Sequence, residues 1–313
     1  MNRRTTLTLG AVTALGFALQ ASAQDAPTVC YVAAAASHAY ATPANDALTA
    51  RAAELEIEIL SLSQEFNAQT GTDQLNTCIA RGVDGIILWP LDPQAYLPGM
   101  ARAQQAGIPL LIINSPMDPQ AEALYASFTG PDVSLQGLMA ADLMNEVLGG
   151  EGNVIIIAGQ AGNGTTIGRV GGFNDRLAEL GSGIVVLDTV NADFDQQMSL
   201  VASRDLITRF GDDIDGVYAN DDMMARGFID AWKEARPGEA LPPVIGIGGQ
   251  KDAFDAIAAG DMTATIVQSP AVDGRLAIDT MARILNGETV DKRIPMDMMV
   301  INAENVAENE PAF

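Results

Sequence analysis

The 313-residue sequence predicts an α/β protein of two doubly wound parallel-sheet lobes. Short runs of Val, Ile and Leu alternate with helix-length stretches, as expected of parallel strands buried under helices on both faces. The alternation runs once, breaks at Gly130-Pro131-Asp132, and then repeats. The length agrees, because it exceeds what one core usually supports and fits two domains of about 100–150 residues.

In chain order, the first set of strands is expected at Thr28–Val32, Ile57–Leu60, Gly85–Trp89 and Leu110–Ile113, with a further short run at Leu124–Phe128. The second set is expected at Asn153–Ile157, Ile184–Leu187, Gly216–Tyr218, Val244–Ile247 and Ala264–Val267. The helical stretches between them are Ala44–Leu55, Thr72–Arg81, Tyr96–Ala106, Leu135–Val147, Gly172–Leu180, Gln196–Arg209, Met224–Ala235 and Lys251–Ala259.

Ahead of the first strand, Met1–Ala23 carries Arg3 and Arg4, an apolar run from Leu7 to Leu19, and Ala21-Ser22-Ala23. That order predicts a secretory signal cleaved near Ala23 and an exported, periplasmic protein. Thr8, Gly10, Thr13 and Gly16 break the run, which falls well short of the roughly 20 apolar residues of a spanning helix. Arg3-Arg4 also admits twin-arginine export, although Thr5-Thr6-Leu7-Thr8 fits that pattern poorly, so the route stays open. No lipidation-type box of small residues precedes Cys30, so a soluble mature chain is expected.

The chain has 17 basic and 40 acidic residues, and the signal takes away two of the former and none of the latter. Such an acidic chain repels phosphate backbones and anionic membranes, so nucleic acid is not an expected partner. The sign of a buried pocket does not follow from this.

Ligands of doubly wound sheets bind at the carboxyl ends of the strands. Those ends here carry Ser37-His38-Ala39-Tyr40, Trp89-Pro90, Asn114-Ser115 and Asn220-Asp221-Asp222. If the two lobes face each other, these loops line one cleft.

From Thr28 to about Asn302 the chain resembles the ribose-type periplasmic solute-binding proteins of sugar ABC importers, which have the type I periplasmic binding protein fold. The likeness is carried by Arg81–Pro93, Ala106–Ile113, Arg169-Val-Gly-Gly-Phe173, Ala192–Asp195, Gly216–Gly227 and Thr265–Gln268. It implies a three-segment hinge crossing near Gly130, Ser269 and Met299. The first lobe would then be residues 24–130 plus 269–298, and the second 131–268 plus 299–313. It further implies a monomer that closes around a monosaccharide or polyol and delivers it to permease subunits in the inner membrane. Whether a chemoreceptor also reads the closed form stays open. Related repressors share these lobes but begin with a DNA-binding segment, whereas this chain begins with an export signal.

Carried over by position, Arg169 is the sugar-binding arginine, Gln268 the hinge glutamine, and Tyr40 and Phe194 the rings that sandwich the sugar. Guanidinium donors suit vicinal hydroxyls, and rings suit the C–H faces of a pyranose. Phe194 also suits a lobe core, but Asp193 and Asp195 beside it favour a loop. The chain departs from the pattern at five places. Gly248 stands where a sugar-binding aspartate is usual, Asp221 where an asparagine is, and Asn114-Ser115 where the fourth strand ends in Asp-Arg. His38 also replaces an asparagine, and Trp89 adds a ring. A binding site of His38, Tyr40, Trp89, Asn114, Ser115, Arg169, Phe194, Asp221 and Gln268 is therefore expected, with a hydroxyl pattern unlike that for ribose; a smaller polyol, a different monosaccharide and a ligand with a cationic group are all compatible with it.

An exported hydrolase or oxidoreductase is the competing reading, and its motifs are weak. Gly159–Thr166 follows a strand but has Thr165 in place of a phosphate-loop lysine. The single histidine has no nucleophile elbow to serve, and no metal spacing occurs, so no cofactor or metal is expected. Asp221 and Asp222 would point to different sides of an extended loop, with Asp222 suited to cap the Met224–Ala235 helix.

Cys30 lies in the first strand and Cys78 on the apolar face of the following crossover helix, with Leu75 and Ile79. A right-handed crossover in strand order 2-1-3 lays that helix over the first strand. Both a disulfide and two buried thiols are compatible with this, and a Cα separation beyond about 7 Å would exclude the bridge.

Overall fold

The computed structural model describes residues 26–313, so the signal segment expected at Met1–Ala23 lies outside the described residues. The first half alternates β1 (Thr28–Ala33), α1 (Ala41–Glu54), β2 (Glu58–Ser63), α2 (Ala68–Arg81), β3 (Gly85–Leu88), α3 (Leu97–Gln105), β4 (Leu110–Ile113) and β5 (Ser127–Gly130). The second half continues with α4 (Val133–Val147), β6 (Glu151–Ala158), α5 (Gly164–Leu180), β7 (Gly183–Asn191), α6 (Gln196–Phe210), β8 (Gly216–Ala219) and α7 (Asp222–Ala235). It then runs through β9 (Val244–Gly248), α8 (Lys251–Ala259), β10 (Ala264–Val267), α9 (Pro270–Leu285), β11 (Arg293–Pro295) and β12 (Met299–Asn302).

Two six-stranded sheets result, ordered β11-β5-β4-β3-β1-β2 and β12-β10-β9-β8-β6-β7. All pairings are parallel except that of β12 with β10. Both faces of each sheet are covered. Val29, Tyr31 and Ala33 of β1 pack into one core cluster, while Cys30 and Val32 face another that includes Leu75 and Cys78 of α2. The second sheet does the same, with Ile155 and Ile157 on one side and Val154 and Ile156 on the other. This is the two-lobed α/β architecture that the repeated rhythm predicts.

The chain passes between the sheets after β5, after β10, and between β11 and β12. Helix α9 leaves the second sheet to pack on α1 of the first lobe. The strand β11 is only three residues long and carries no apolar run, and β12, although it includes Met299-Val300-Ile301, lies outside the strands that the alternation predicts.

Five helices (α1, α2, α4, α5 and α7) start earlier than their apolar pattern suggests, and in all but α1 a polar side chain caps the start, with α5 and α7 bearing on the site. Asn163 accepts from the Thr165 amide, so α5 begins at Gly164 and Arg169 lies inside the helix, not at its start. Asp221 accepts from the Met224 amide, so α7 begins at Asp222. The expectation that Asp222 is the cap is therefore corrected. Its carboxylate turns instead toward the neighbouring β-strands, accepting from the amides of Gly249 and Gln250 and from Thr265 Oγ1.

Cys30 and Cys78 are joined in a disulfide with Cα atoms 5.8 Å apart. The bridge ties α2 to β1, which lies between β3 and the edge strand β2 in the first sheet. Among the described residues no helix is long and apolar enough to cross a membrane.

Candidate ligand-binding site

The carboxyl ends of both sheets face a single small cleft. Its cavity measures ≈ 60 Å³, counted as space open to the centre of a water molecule. Of the residues expected at the site, His38, Tyr40, Trp89, Asn114, Arg169, Phe194, Asp221 and Gln268 line it. Ser115 lies behind the lining, where its hydroxyl accepts from Thr165 Oγ1 at 3.1 Å. Motif reading missed Phe66, Leu91, Asn163, Thr165, Ile247, Gln250 and Phe313, which also line the cavity. Thr165 belongs to the Gly159–Thr166 segment with its likeness to a phosphate loop, and it reaches the cavity wall from the first turn of α5.

The lobes are closed onto each other. Asn163 Nδ2 donates to the Leu91 carbonyl at 3.1 Å, and Gln160 Nε2 to the Phe66 carbonyl at 3.3 Å. His38 Nδ1 accepts from the Tyr40 amide, which leaves Nε2 to face the Phe194 carbonyl at 3.5 Å across the cleft. Burial lowers the His38 pKa, with the Phe194 carbonyl and Asp195 opposing it.

Arg169 is 2% exposed, and no carboxylate lies within ion-pair distance of it among the described residues. Its Nε donates to Gln136 Oε1, one terminal nitrogen to the Asn220 carbonyl, and the other to Gln268 Oε1 at 3.0 Å. Burial lowers the guanidinium pKa, against the pull of Tyr218, Asp221, Tyr40 and Asp222. Because Arg169 only donates, the Gln268 oxygen must face it, and the amide NH₂ of Gln268 is its free end. Gln136, fully buried, donates to the same oxygen at 2.8 Å and fixes that choice.

The first lobe has a matching device of opposite sense. Asp273 of α9 is fully buried, and its Oδ2 accepts from Asn114 Nδ2 at 2.7 Å and from the Tyr40 hydroxyl at 3.1 Å. Asn114 thereby spends its NH₂ group and keeps its carbonyl oxygen as an acceptor. Oδ1 of Asp273 has no partner among the described residues. Burial raises the Asp273 pKa to about 6, against the two hydrogen bonds. Burial likewise raises Asp221 to about 6, opposed by the Met224 amide and by Arg169.

The rings are held by packing and by strained backbone. Tyr40 meets Trp89 edge-on at 5.9 Å between ring centres. Phe194 lies on Gly159, where an added Cβ would come within 2.1 Å of the ring. Phe66, Asn114 and Phe194 have φ of 53°, 61° and 59°, a left-handed conformation costly for side-chain-bearing residues. Such strain persists where the surroundings enforce it, and here all three residues point at one cavity. The arrangement can take a small neutral ligand with hydroxyls at its edge and C–H groups on its faces. Among the described residues no group of three or more His, Cys, Asp or Glu is placed to hold a metal ion.

Comparison with known proteins agrees with this geometry. The model of the periplasmic binding protein domain matches residues 29–289. The chain is 32% identical over 217 residues to the xylitol-binding protein of Mycolicibacterium smegmatis, covering 69% of this chain but only 60% of that protein. It is 28% identical to the ribose import binding protein of Haemophilus influenzae, over 88% of this chain and 91% of the relative. An ABC transporter solute-binding protein from Bacillus halodurans, solved with bound myo-inositol, superposes with a TM-score of 0.83 at 26% identity, covering 92% of this chain and 98% of the other.

Proposed function

The chain belongs to the periplasmic binding protein family, and we propose that it is the solute-receiving component of an ABC importer, closing on a monosaccharide or polyol in the inter-lobe cleft. The family is one of binding proteins, so the reading as an exported enzyme is set aside. One observation carries the ligand class. Arg169 and Asp221 in the second lobe confront the rings of Tyr40 and Trp89 in the first across one small cavity.

In this reading Arg169 and the Gln268 NH₂ donate to ligand hydroxyls, while Asp221 and the Asn114 carbonyl accept from them. Tyr40, Trp89 and Phe194 cover its C–H faces, His38 closes the cleft mouth, and Ser115 supports Thr165 from behind. The departures at Gly248, Asp221 and Asn114-Ser115 turn the pocket away from ribose, since a buried polar group left unpaired costs about 1–3 kcal/mol. The relatives' names support a linear or cyclic polyol as readily as a pentose.

Closure follows from differential binding, because a ligand shifts a two-state equilibrium only by favouring one state. The hinge segments near 130, 269 and 299 would bend, with lobes of 24–130 plus 269–298 and 131–268 plus 299–313. Export to the periplasm with cleavage near Ala23, action as a monomer, and hand-over to inner-membrane permease subunits complete the proposal.

A thermal-shift screen over xylitol, myo-inositol, D-ribose, amino compounds and nucleotides tests it. A polyol or sugar is expected to raise Tm, as any ligand of the native state does. Stabilisation by nucleotides alone would contradict the reading.

A further inference from the structure

The segment ending at Phe313 supplies a cleft wall that no motif suggested. Phe313 lines the cavity and also a second, outer pocket with Ser37, Lys251 and Asp252, so its ring stands between the binding space and solvent. Its backbone belongs to the second lobe: the Lys251 amide donates to the Phe313 carbonyl at 2.9 Å, and the Ala312 amide to the Gly249 carbonyl at 2.8 Å. Its ring belongs to the first, meeting Tyr40 edge-on at 5.5 Å and 89° and packing on the core cluster around Tyr40.

The docking strip exists because of the glycines after β9. Gly248 has φ of 151°, and a Cβ there would come within 2.8 Å of Asp222 Oδ2. With no side chain in the way, Asp222 reaches the amides of Gly249 and Gln250 at 2.6 and 3.0 Å. The loop so fixed turns the Gly249 carbonyl and Lys251 amide outward, where Ala312 and Phe313 pair with them. The position without a carboxylate is thus also the one that seats a ring.

We propose that Phe313 is a specificity-determining residue: it walls the cleft on the Gly248 side with an apolar face, selects ligands that present C–H groups there, and latches the two lobes when the site is filled. This rests on the reading of the cleft as a sugar or polyol site. Opening the lobes must part the ring from Tyr40 or the backbone from the loop at Gly249–Lys251, so the contact forms with closure.

The test is calorimetric titration of the whole protein and its Phe313→Ala, Phe313→Leu and Phe313→Asn variants with xylitol, myo-inositol and D-ribose. For each probe that the unaltered protein binds, Phe313→Ala is expected to raise Kd by about tenfold or more, and Phe313→Leu by about threefold or less. Phe313→Asn should behave like Phe313→Ala, and the ligand-free Tm of all three should stay within about 2 °C of the parent. A Kd unchanged in Phe313→Ala, or Phe313→Asn matching Phe313→Leu, would overturn the inference and leave the function standing. No binding of any probe by the unaltered protein would bring down the function reading and this inference together.

Discussion

The two lobes meet the cleft with different chemistry, and each backs it with one fully buried carboxylate. The first lobe brings the rings His38, Tyr40, Phe66 and Trp89, and the second brings Arg169 and Asp221. Behind the first lies Asp273, with two donors on one oxygen and none on the other. Behind the second lies Asp222, bonded by two amides and a hydroxyl. The difference teaches how the work is divided. In the proposed reading the first lobe supplies the rings other than Phe194 and Phe313, together with the Asn114 carbonyl, and the carboxylate behind it is paired on one oxygen only. The second supplies Arg169 and Asp221 for the ligand's hydroxyls, and its buried carboxylate Asp222 is paired on both oxygens, although Tyr218 Oη and Asn220 Nδ2 beside Arg169 have no partner among the described residues. The covalent tie between Cys30 and Cys78 is in the first lobe alone.

The largest expected effect tests that asymmetry of support. A bridge across 48 residues of separation contributes about 4 kcal/mol by the chain-entropy account. Replacing both cysteines by alanine should lower the urea midpoint, and hydrogen exchange should show lost protection in β1 and β3 with β6 and β8 unchanged. Equal loss in both lobes would mean that they do not differ in this way.

Next comes the unsatisfied carboxylate. The folded pKa of Asp273 lies above its unfolded value, so its contribution to stability is full below about pH 4 and is lost as pH rises through about 6. A shift of about two units corresponds to about 3 kcal/mol. Asp273→Asn can keep an acceptor for Tyr40 and Asn114 without the charge. Its stability advantage over the parent should therefore be greatest at pH 7 and shrink toward pH 4, as read from urea titrations. An advantage independent of pH would contradict the assignment.

The remaining two effects concern binding. Arg169→Ala removes three hydrogen bonds and frees Gln136 and Gln268 to turn. It should weaken any stabilising polyol by about a hundredfold. Phe194→Ala removes one ring and should weaken it by about tenfold, with little effect on which hydroxyl pattern is preferred. If Phe194→Ala changed the preference among polyols more than Arg169→Ala does, the division between rings and hydrogen bonds would be wrong.

The ten strands β1 to β10 were legible because buried parallel strands are almost wholly aliphatic, as in Gly85–Leu88 and Leu110–Ile113, whereas β11 and β12 at the sheet edges were not. Helix starts were less legible, since capping by Asn163 and Asp221 overrides the apolar period by up to two turns. At the cleft, residues at strand ends and motif positions could be named from the sequence. Asp273 could not, because a carboxylate in the first turn of a helix normally reads as a solvated, dipole-favoured group. Phe66 and Phe313 were silent for another reason, since both reach the cleft through loop conformations that no local pattern encodes.

The central claim is that two unlike lobes close on one small polyhydroxy ligand. The most direct measurement is calorimetric titration of the purified protein with the best hit from the polyol and sugar screen, followed by recovery of the ligand. The account predicts one site per chain, loss of the signal in Arg169→Ala, and a ligand recovered chemically unchanged. Absence of binding by every sugar and polyol, or recovery of a product in place of the ligand, would contradict it.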